Sequence, residues 1–307
     1  MSSPSHKPTR PRRLVPGDLI GVAAPAGIVE REPFEAGIRV METLGFRIRV
    51  EQEVFLRTGY LAGADHMRAN SINALIRDPQ VKAIVCARGG YGCMRILPLI
   101  DYGALRNQPK AIVGFSDITA LLVAIYAECG LATFHGPVVT SLSTADDATI
   151  EALGRLLTGD QTVKLVSSDG PVIAPGVCQG PVLAGNLTLL CHLIGTPFAN
   201  SFKGHILLIE DCGEALYRID RMLTHLHLAG CLDHVAGIAL GLFKDCGAAD
   251  RLNDLFFERL SRLGIPVLAG FQVGHGHRNL PLPIGLQATL DTDAGALAFD
   301  SAATCQS

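Results

Sequence analysis

Tryptophan is absent from the 307-residue chain, and there are only 5 tyrosines and 12 phenylalanines. A surface that stacks nucleobases needs aromatic rings in number. The formal net charge of −3, with both signs scattered, provides no dedicated surface for a phosphate backbone either. Nucleic acid is therefore not an expected partner. No uninterrupted apolar stretch approaches the ~20 residues of a membrane span, so no membrane-crossing segment is expected. Arg10, Arg12 and Arg13 ahead of LVPGDLIGVAAPAG faintly imitate a signal peptide, but Pro16 and Asp18 interrupt the would-be apolar region. Residues 1–13 read instead as a short disordered basic tail on a cytoplasmic protein. No C-x-x-C pair occurs, the nine cysteines are an odd count, and Cys86, Cys178 and Cys191 sit inside apolar runs. That pattern favours buried free thiols in a reducing compartment over a disulfide framework. Neither G-x-x-x-x-G-K-[ST] nor G-x-G-x-x-G is present, so no phosphate-binding fingerprint is met.

What is present suits a large folded core: 48% of residues are hydrophobic and 18% charged. The 33 glycines fall largely at the ends of apolar runs, as repeated strand–loop–helix connections require. Leu19–Ala23 reads as a strand. Phe34, Ile38, Met41 and Leu44 follow at helical spacing and are closed by Gly45. Phe46, Ile48 and Val50 alternate with arginines as a half-exposed strand, Met67 to Ile76 marks a second helix, and Val81–Ala87 is a buried strand. This rhythm predicts an α/β fold with an open parallel sheet that binds ligands at the carboxyl ends of its strands. From Ser141 to Pro175 serine, threonine, aspartate and glycine accumulate, which reads as a linker around a helix with a domain boundary near residue 165. Beyond it, strands are expected at 179–184, 206–209, 235–240, 267–269 and 288–290, and helices at 213–229 and 250–263.

Two strand ends carry chemistry. In KAIVGFSDITALL an apolar run stops at Ser116, and Ile118, Leu121, Leu122 and Ile125 then continue at helical spacing. A serine at a strand-to-helix turn is pushed out of the sheet beside the free amides of the helix start, which favour developing negative charge. Ser116 is thus either a nucleophile or a helix cap, and Ile118 stands where the second glycine of G-x-S-x-G would be. The other strand end is Arg88-Gly-Gly-Tyr-Gly92, where glycines allow close backbone approach to a ligand or simply make a tight turn. Cys93 after it is either reactive or a small packing residue.

A serine nucleophile needs a base, and the base an orienting acid. His275 and His277 lie in a glycine-rich loop after an apolar strand, with room to reach a site. A metal site built on the H-x-H pairs is the rival reading, but spacing marks no third ligand. In ILLIEDCGE, Glu210 ends an apolar strand beside Asp211, and strand alternation sends the two to opposite sides. One can face a cleft while the other serves the start of the next helix.

Taken together, RGGYG (88–92), GFSDIT (114–119), FHGP (134–137), GNLTLL (185–190), LIED with YRIDRML (208–223) and GHGHRNLPLPIG (274–285) resemble the LD-carboxypeptidase family of serine peptidases, the muramoyltetrapeptide carboxypeptidases. The resemblance runs from about residue 14 to 295. It implies a Rossmann-like domain over 14–165 with the nucleophile. A β-rich, partly barrel-like domain over 166–307 would carry the acid and base, with the active site between the two. It further implies a triad of Ser116, Glu210 and His275, and an oxyanion hole from the backbone of Asp117 and of Gly90 or Gly89. Neither metal nor cofactor is implied; a homodimer and a cytoplasmic place in peptidoglycan recycling are. The implied reaction hydrolyses the amide between the L-centre of a diamino acid (meso-diaminopimelate or Lys) and the terminal D-Ala of a murein tetrapeptide. A cation must capture the terminal carboxylate. Arg88, Arg95, Arg218 and Arg278 lie near the motifs, and Arg88 could equally pair with a carboxylate of the protein. Tyr91 and Asn186 are further candidates for substrate contact. Two rivals remain at this point: an immunity-type peptidase that cleaves a peptidyl-aminoacyl-nucleotide antibiotic, and a catalytically silent peptide-binding protein.

Overall fold

The structure, a computed structural model, describes residues 8–159 and 161–306. The expected disordered tail lies outside the described residues at 1–7, and at 8–13 the chain differs from expectation. Thr9 and Arg12 form bridges with Leu131 and Cys305, and the Arg13 amide donates to the Cys305 carbonyl at 2.9 Å. Backbone pairing on two sides ties this basic segment down, which its polar composition did not reveal.

A first sheet is built from β1 (Leu19–Ala23), β2 (Arg47–Val50), β3 (Val81–Cys86), β4 (Ala111–Gly114) and β5 (Thr133–His135), all joined in parallel pairs. The second follows from β6 (Thr162–Val166), β7 (Val172–Ala174), β8 (Val177–Asn186), β9 (Ile206–Cys212), β10 (Gly237–Lys244) and β11 (Val267–Leu268). Next, β12 (Leu282–Ile284) returns to the first sheet, antiparallel to β5, before β13 (Gln287–Asp291) and β14 (Ala296–Ala302) complete the second. The sheet orders are β12-β5-β4-β3-β1-β2 and β6-β14-β13-β8-β9-β10-β11-β7. The second sheet does not close into a barrel. It curls, because the loop joining its two edge strands is held at both sides: Ser167 donates to Gly295 O and Ser168 to Gly270 O.

Alternate residues of the buried strands feed two cores. Ile84 and Cys86 of β3 face the helices Asp65–Arg77 and Thr119–Cys129, while Ala83 and Val85 face the helices Arg31–Thr43 and Asp147–Thr158. The helix Thr119–Cys129 is buried on every side from Thr119 to Tyr126, as an all-apolar helix must be. Its first residue also receives a bond from the second sheet, Asn186 N to Thr119 Oγ1 at 3.1 Å. The helix behind Ser116 is therefore locked between both sheets.

The stretch read as a linker holds β6 and β7, both edge strands. Only Leu165 of TVKLV is buried, so its sequence lacks the alternation that marks a half-buried strand. Strands expected at 179–184 and 206–209 extend to Asn186 and Cys212, which carries Glu210 and Asp211 inside β9. Two histidines remote from the loop, His225 and His227, lie in the helix Leu216–Leu228. No helix among the described residues is long and apolar enough to cross a membrane.

Candidate active site

β4 ends at Gly114, Phe115 remains extended, and Ser116 turns into the left-handed region with φ 61°. The chain then makes a short 3-10 turn, Ser116–Ile118, before the buried helix. A non-glycine residue held at such a φ costs about 1–3 kcal/mol and persists where the surroundings over-determine it. Here the strand before and the locked helix after leave no alternative. Ser116 does not cap: neither the turn nor the helix has a side-chain cap bond at its start. Its side chain is half-buried and faces the Gly89 Cα. A Cβ at Gly89 would lie 2.9 Å from Ser116 Cβ and 3.1 Å from its Oγ, so only glycine admits the hydroxyl there.

The Gly89 carbonyl accepts the Gly27 amide at 3.0 Å. Across the planar trans peptide, the Gly90 N–H points the opposite way, away from Gly27. The Asp117 amide belongs to the first turn, where no carbonyl of the same helix reaches it. Its carboxylate is buried and accepts the Cys93 amide at 2.8 Å, bracing the glycine loop against the serine turn. Burial raises the Asp117 pKa in spite of that bond. Burial and the Asp117 charge together raise the Cys93 thiol well above its ordinary value, so Cys93 is a packing residue.

From the other side, His275 Nδ1 bonds Glu210 Oε2 at 2.7 Å. Glu210 is fully buried, and its Oε1 has no hydrogen-bond partner among the described residues. Burial pushes the Glu210 carboxyl above the usual range. Burial alone would lower the His275 pKa, but the hydrogen bond and charge of Glu210 outweigh it, and the imidazole lies above its ordinary value. Gly274 passes over the carboxylate with φ 121°, where a Cβ would meet Oε2 at 2.5 Å. The loop is pinned by Asn279, which accepts the Gly274 amide at 2.9 Å and donates its own amide to Thr149 Oγ1 at 3.0 Å. Arg278 adds a 2.6 Å bond to Asp146. His277 is exposed and turns to the Thr144 carbonyl at 3.3 Å, away from Glu210.

The three candidate groups meet through Phe115, whose ring lies 4.8 Å from that of His275. Nδ1 is committed to Glu210, which leaves Nε2 free of that bond. Among the described residues no hydrogen bond joins His275 to Ser116, the residue that follows Phe115. On its other side Phe115 meets His135, at 6.0 Å between rings. His135 is fully buried with both ring nitrogens unpartnered among the described residues, and burial first, then the charge of His275, push its pKa down to about 3. It is a neutral ring under the site.

Asn186 departs from the expected substrate contact. It is buried, its Oδ1 caps the helix Leu187–Leu193 through the Leu189 amide at 3.2 Å, and its Nδ2 donates to Asp211 at 2.9 Å. Asp211 also accepts the Thr188 amide and hydroxyl at 3.0 and 2.8 Å. It therefore serves the helix before β9 rather than the one after it. Three of the four arginines have carboxylate partners: Arg95 with Asp65 at 2.9 Å, Arg218 with Glu214 at 3.3 Å and Arg278 with Asp146 at 2.6 Å. Arg88 is exposed at the glycine loop and bonds the Ile28 carbonyl, with no carboxylate partner among the described residues. Tyr91 is also exposed, edge-on to Tyr60 at 5.5 Å.

Sequence reading missed Asn279, Asp146 and Thr149, which join the histidine loop to the first sheet's layer. The only signal was the polar run after His277, and it names no partner. No group of three or more His, Cys, Asp or Glu among the described residues is arranged to hold a metal ion.

The chain matches the LD-carboxypeptidase N-terminal domain over residues 20–136 and the LD-carboxypeptidase C-terminal domain over residues 179–290. A putative carboxypeptidase of Streptomyces coelicolor is 42% identical over 302 residues, covering 96% of this chain and 97% of the relative. A probable murein peptide carboxypeptidase of Bacillus subtilis is 35% identical, covering 92% of each. Among solved structures, the muramoyltetrapeptide carboxypeptidase of Oxalobacter formigenes superposes with a TM-score of 0.82 at 31% identity, covering 94% of this chain and 99% of that one. The microcin C7 self-immunity protein in complex with glutamyl sulfamoyl guanosine superposes with a TM-score of 0.88 at 28% identity, covering 95% and 98%.

Proposed function

The chain belongs to the LD-carboxypeptidase family, and from that premise we propose that it is a serine carboxypeptidase of peptidoglycan recycling. Its substrate is a murein tetrapeptide, and the bond cleaved joins the L-centre of the diamino acid to the terminal D-Ala. The observation that carries this reading is the 2.7 Å bond between His275 and buried Glu210, set beside the strained Ser116 turn.

In the proposed mechanism Ser116 Oγ attacks the carbonyl carbon while His275 Nε2 takes its proton. Glu210, bonded to Nδ1, fixes the tautomer and stabilises the imidazolium that forms. The Gly90 and Asp117 amides bind the tetrahedral oxyanion; the Gly89 carbonyl, tied to Gly27, turns the Gly90 amide away from Gly27, and the missing Gly89 side chain leaves room for the Ser116 hydroxyl. As the C–N bond breaks, the imidazolium returns its proton to the leaving D-Ala amine. Water, deprotonated by the same base, then cleaves the acyl ester and releases the tripeptide. Arg88 receives the terminal carboxylate and Tyr91 flanks it, while Asn186 positions β9 from behind. The nucleophile belongs to the unit before residue 165 and the acid–base pair to the unit after it. The protein works as a homodimer in the cytoplasm, a setting that its nine free thiols suit.

The exposed Tyr60–Tyr91 pair favours a second reading, cleavage of a peptidyl-aminoacyl nucleotide, because these rings could hold a base. Mass spectrometry after incubation with L-Ala–D-Glu–meso-diaminopimelate–D-Ala tests the choice. Release of one D-Ala is expected. An intact tetrapeptide together with cleavage of the aminoacyl nucleotide would transfer the assignment to the second reading, and neither reaction would leave a silent binding protein.

A further inference from the structure

The basic segment near the N-terminus has no part in the proposed chemistry, yet it is built into the fold. Arg10 donates to the Ala302 carbonyl at 3.0 Å, Thr9 N to Gly130 O at 2.8 Å and Leu14 N to Leu157 O at 2.8 Å. Held in this way, Arg10, Arg12 and Arg13 form one wall of a cavity of about 510 Å³. Lys82 and Lys110 line the same cavity, and Asp18 is the one acidic residue in its lining. That volume is in the range of small-molecule sites, about 300–1,000 Å³.

Two details distinguish this from a casual cluster of surface cations. The Lys110 side chain is buried, with Nζ bonded to the Asp78 and Val81 carbonyls at 2.6 Å each, so its amino group is held in place in the cavity lining; burial lowers its pKa to about 8, which leaves it a cation at neutral pH. None of the five cations has a carboxylate partner among the described residues, in contrast to such neighbours as Arg49 and Arg77, which pair with Asp78 and Asp101. Asp18 itself accepts the Val15 amide at 2.9 Å. An unneutralised excess of this size, with guanidinium forks beside ammonium groups, matches adjacent phosphoryl groups. The cavity opens at the amino ends of β3 and β4: Lys110 precedes β4 and Ser116 follows it, so the two sites lie at opposite ends of the first sheet.

We propose that this cavity is a second ligand site, distinct from the Ser116 site, for a small molecule bearing two linked phosphoryl groups. Inorganic pyrophosphate and ADP supply the same chemistry and serve as probes for isothermal titration calorimetry of the full chain at low salt. Saturable one-site binding of pyrophosphate is expected, with inorganic phosphate at least tenfold weaker and added salt weakening both. ADP binding more tightly than pyrophosphate would add a nucleoside to the assigned ligand; equal affinity would confine the ligand to its diphosphate. The double variant Arg12→Glu/Arg13→Glu, at exposed positions, is expected to lose at least tenfold in pyrophosphate affinity while releasing D-Ala at the parental rate. Absence of saturable binding, phosphate as tight as pyrophosphate, or a variant that binds like the parent would each overturn the proposal. A variant that fails to release D-Ala would overturn the separation of the two sites.

Discussion

Glu210 and Asp211 are consecutive in β9, and their carboxylates go to opposite sides: Glu210 receives His275 at 2.7 Å, while Asp211 accepts Asn186 and Thr188 at 2.8–3.0 Å. Strand alternation produces this division. The bonds to Asp211 fix the strand from behind. Glu210 then stands with one oxygen on the imidazole and the other unpartnered among the described residues.

The hydrogen bond and charge of Glu210 raise the His275 pKa, so this imidazole, the base in the proposed mechanism, is protonated up to a higher pH than a free one. The acid limb of kcat/KM is therefore expected above the ordinary value of about 6.5. Glu210→Gln keeps the shape and removes the charge. Its kcat is expected to fall by about 10⁴, as for the analogous amide substitution in Ser-His-Asp enzymes. The residual limb should move to lower pH; a limb that stays in place would show that Glu210 does not set the base.

Gly89→Ala tests the close approach at Ser116, the proposed nucleophile. Its Cβ would fall 3.1 Å from Ser116 Oγ, so the hydroxyl must shift. A misplacement of about 1 Å costs about 10²-fold in rate, so a shift of a few tenths of an ångström is expected to lower kcat by about tenfold. Gly89 is not at a positive φ, so any fall in the thermal midpoint comes from crowding against Ser116 alone, and the variant is expected to remain folded. Unchanged kcat with a folded variant would remove the hydroxyl from the chemistry.

The two loop histidines separate cleanly. His275→Ala is expected to abolish D-Ala release to within the residual activity of the loop amides, and His277→Ala to leave kcat within a few-fold of the parent. Steady-state kinetics of the two variants decide this, and equal losses would contradict the geometry.

His135 makes a prediction about stability rather than rate. Its folded pKa of about 3 lies below the unfolded value, so between about pH 6.5 and 3 the unfolded chain binds the extra proton. Stability is retained above that window and lost as pH falls through it. His135→Phe keeps a ring without the titration. Chemical denaturation across this window should show a flatter pH slope in the variant, and an identical slope would mean that His135 is not a buried neutral ring.

The residues of the candidate site were legible in the sequence as positions where apolar runs stop: Ser116 after KAIVGF, Glu210 after ILLI, His275 after an apolar strand and between glycines; the structure shows the Glu210–His275 bond and the Ser116 turn. The fold was legible where strands are continuous apolar runs buried on both faces, as in β3 and β4. It was not legible at β6, where four of five residues are at least partly exposed, or at β5 and β12, which have three residues each. No periodicity can declare three residues a strand. The return of β12 to the first sheet is a pairing between residues some 150 positions apart, and local pattern holds no record of it. Asn186 illustrates the same limit. Its amide was available on paper for substrate, but tertiary contact with Asp211 gives it to the helix start.

The central claim is that Ser116 is a nucleophile activated by His275. Labelling with a serine-directed phosphonate, read by intact mass and peptide mapping, tests it most directly. One adduct per chain on Ser116 is expected in the parent, with none in Ser116→Ala and at least a hundredfold slower labelling in His275→Ala. Labelling at another residue, or a parent that releases D-Ala while Ser116 stays unmodified, would contradict the account.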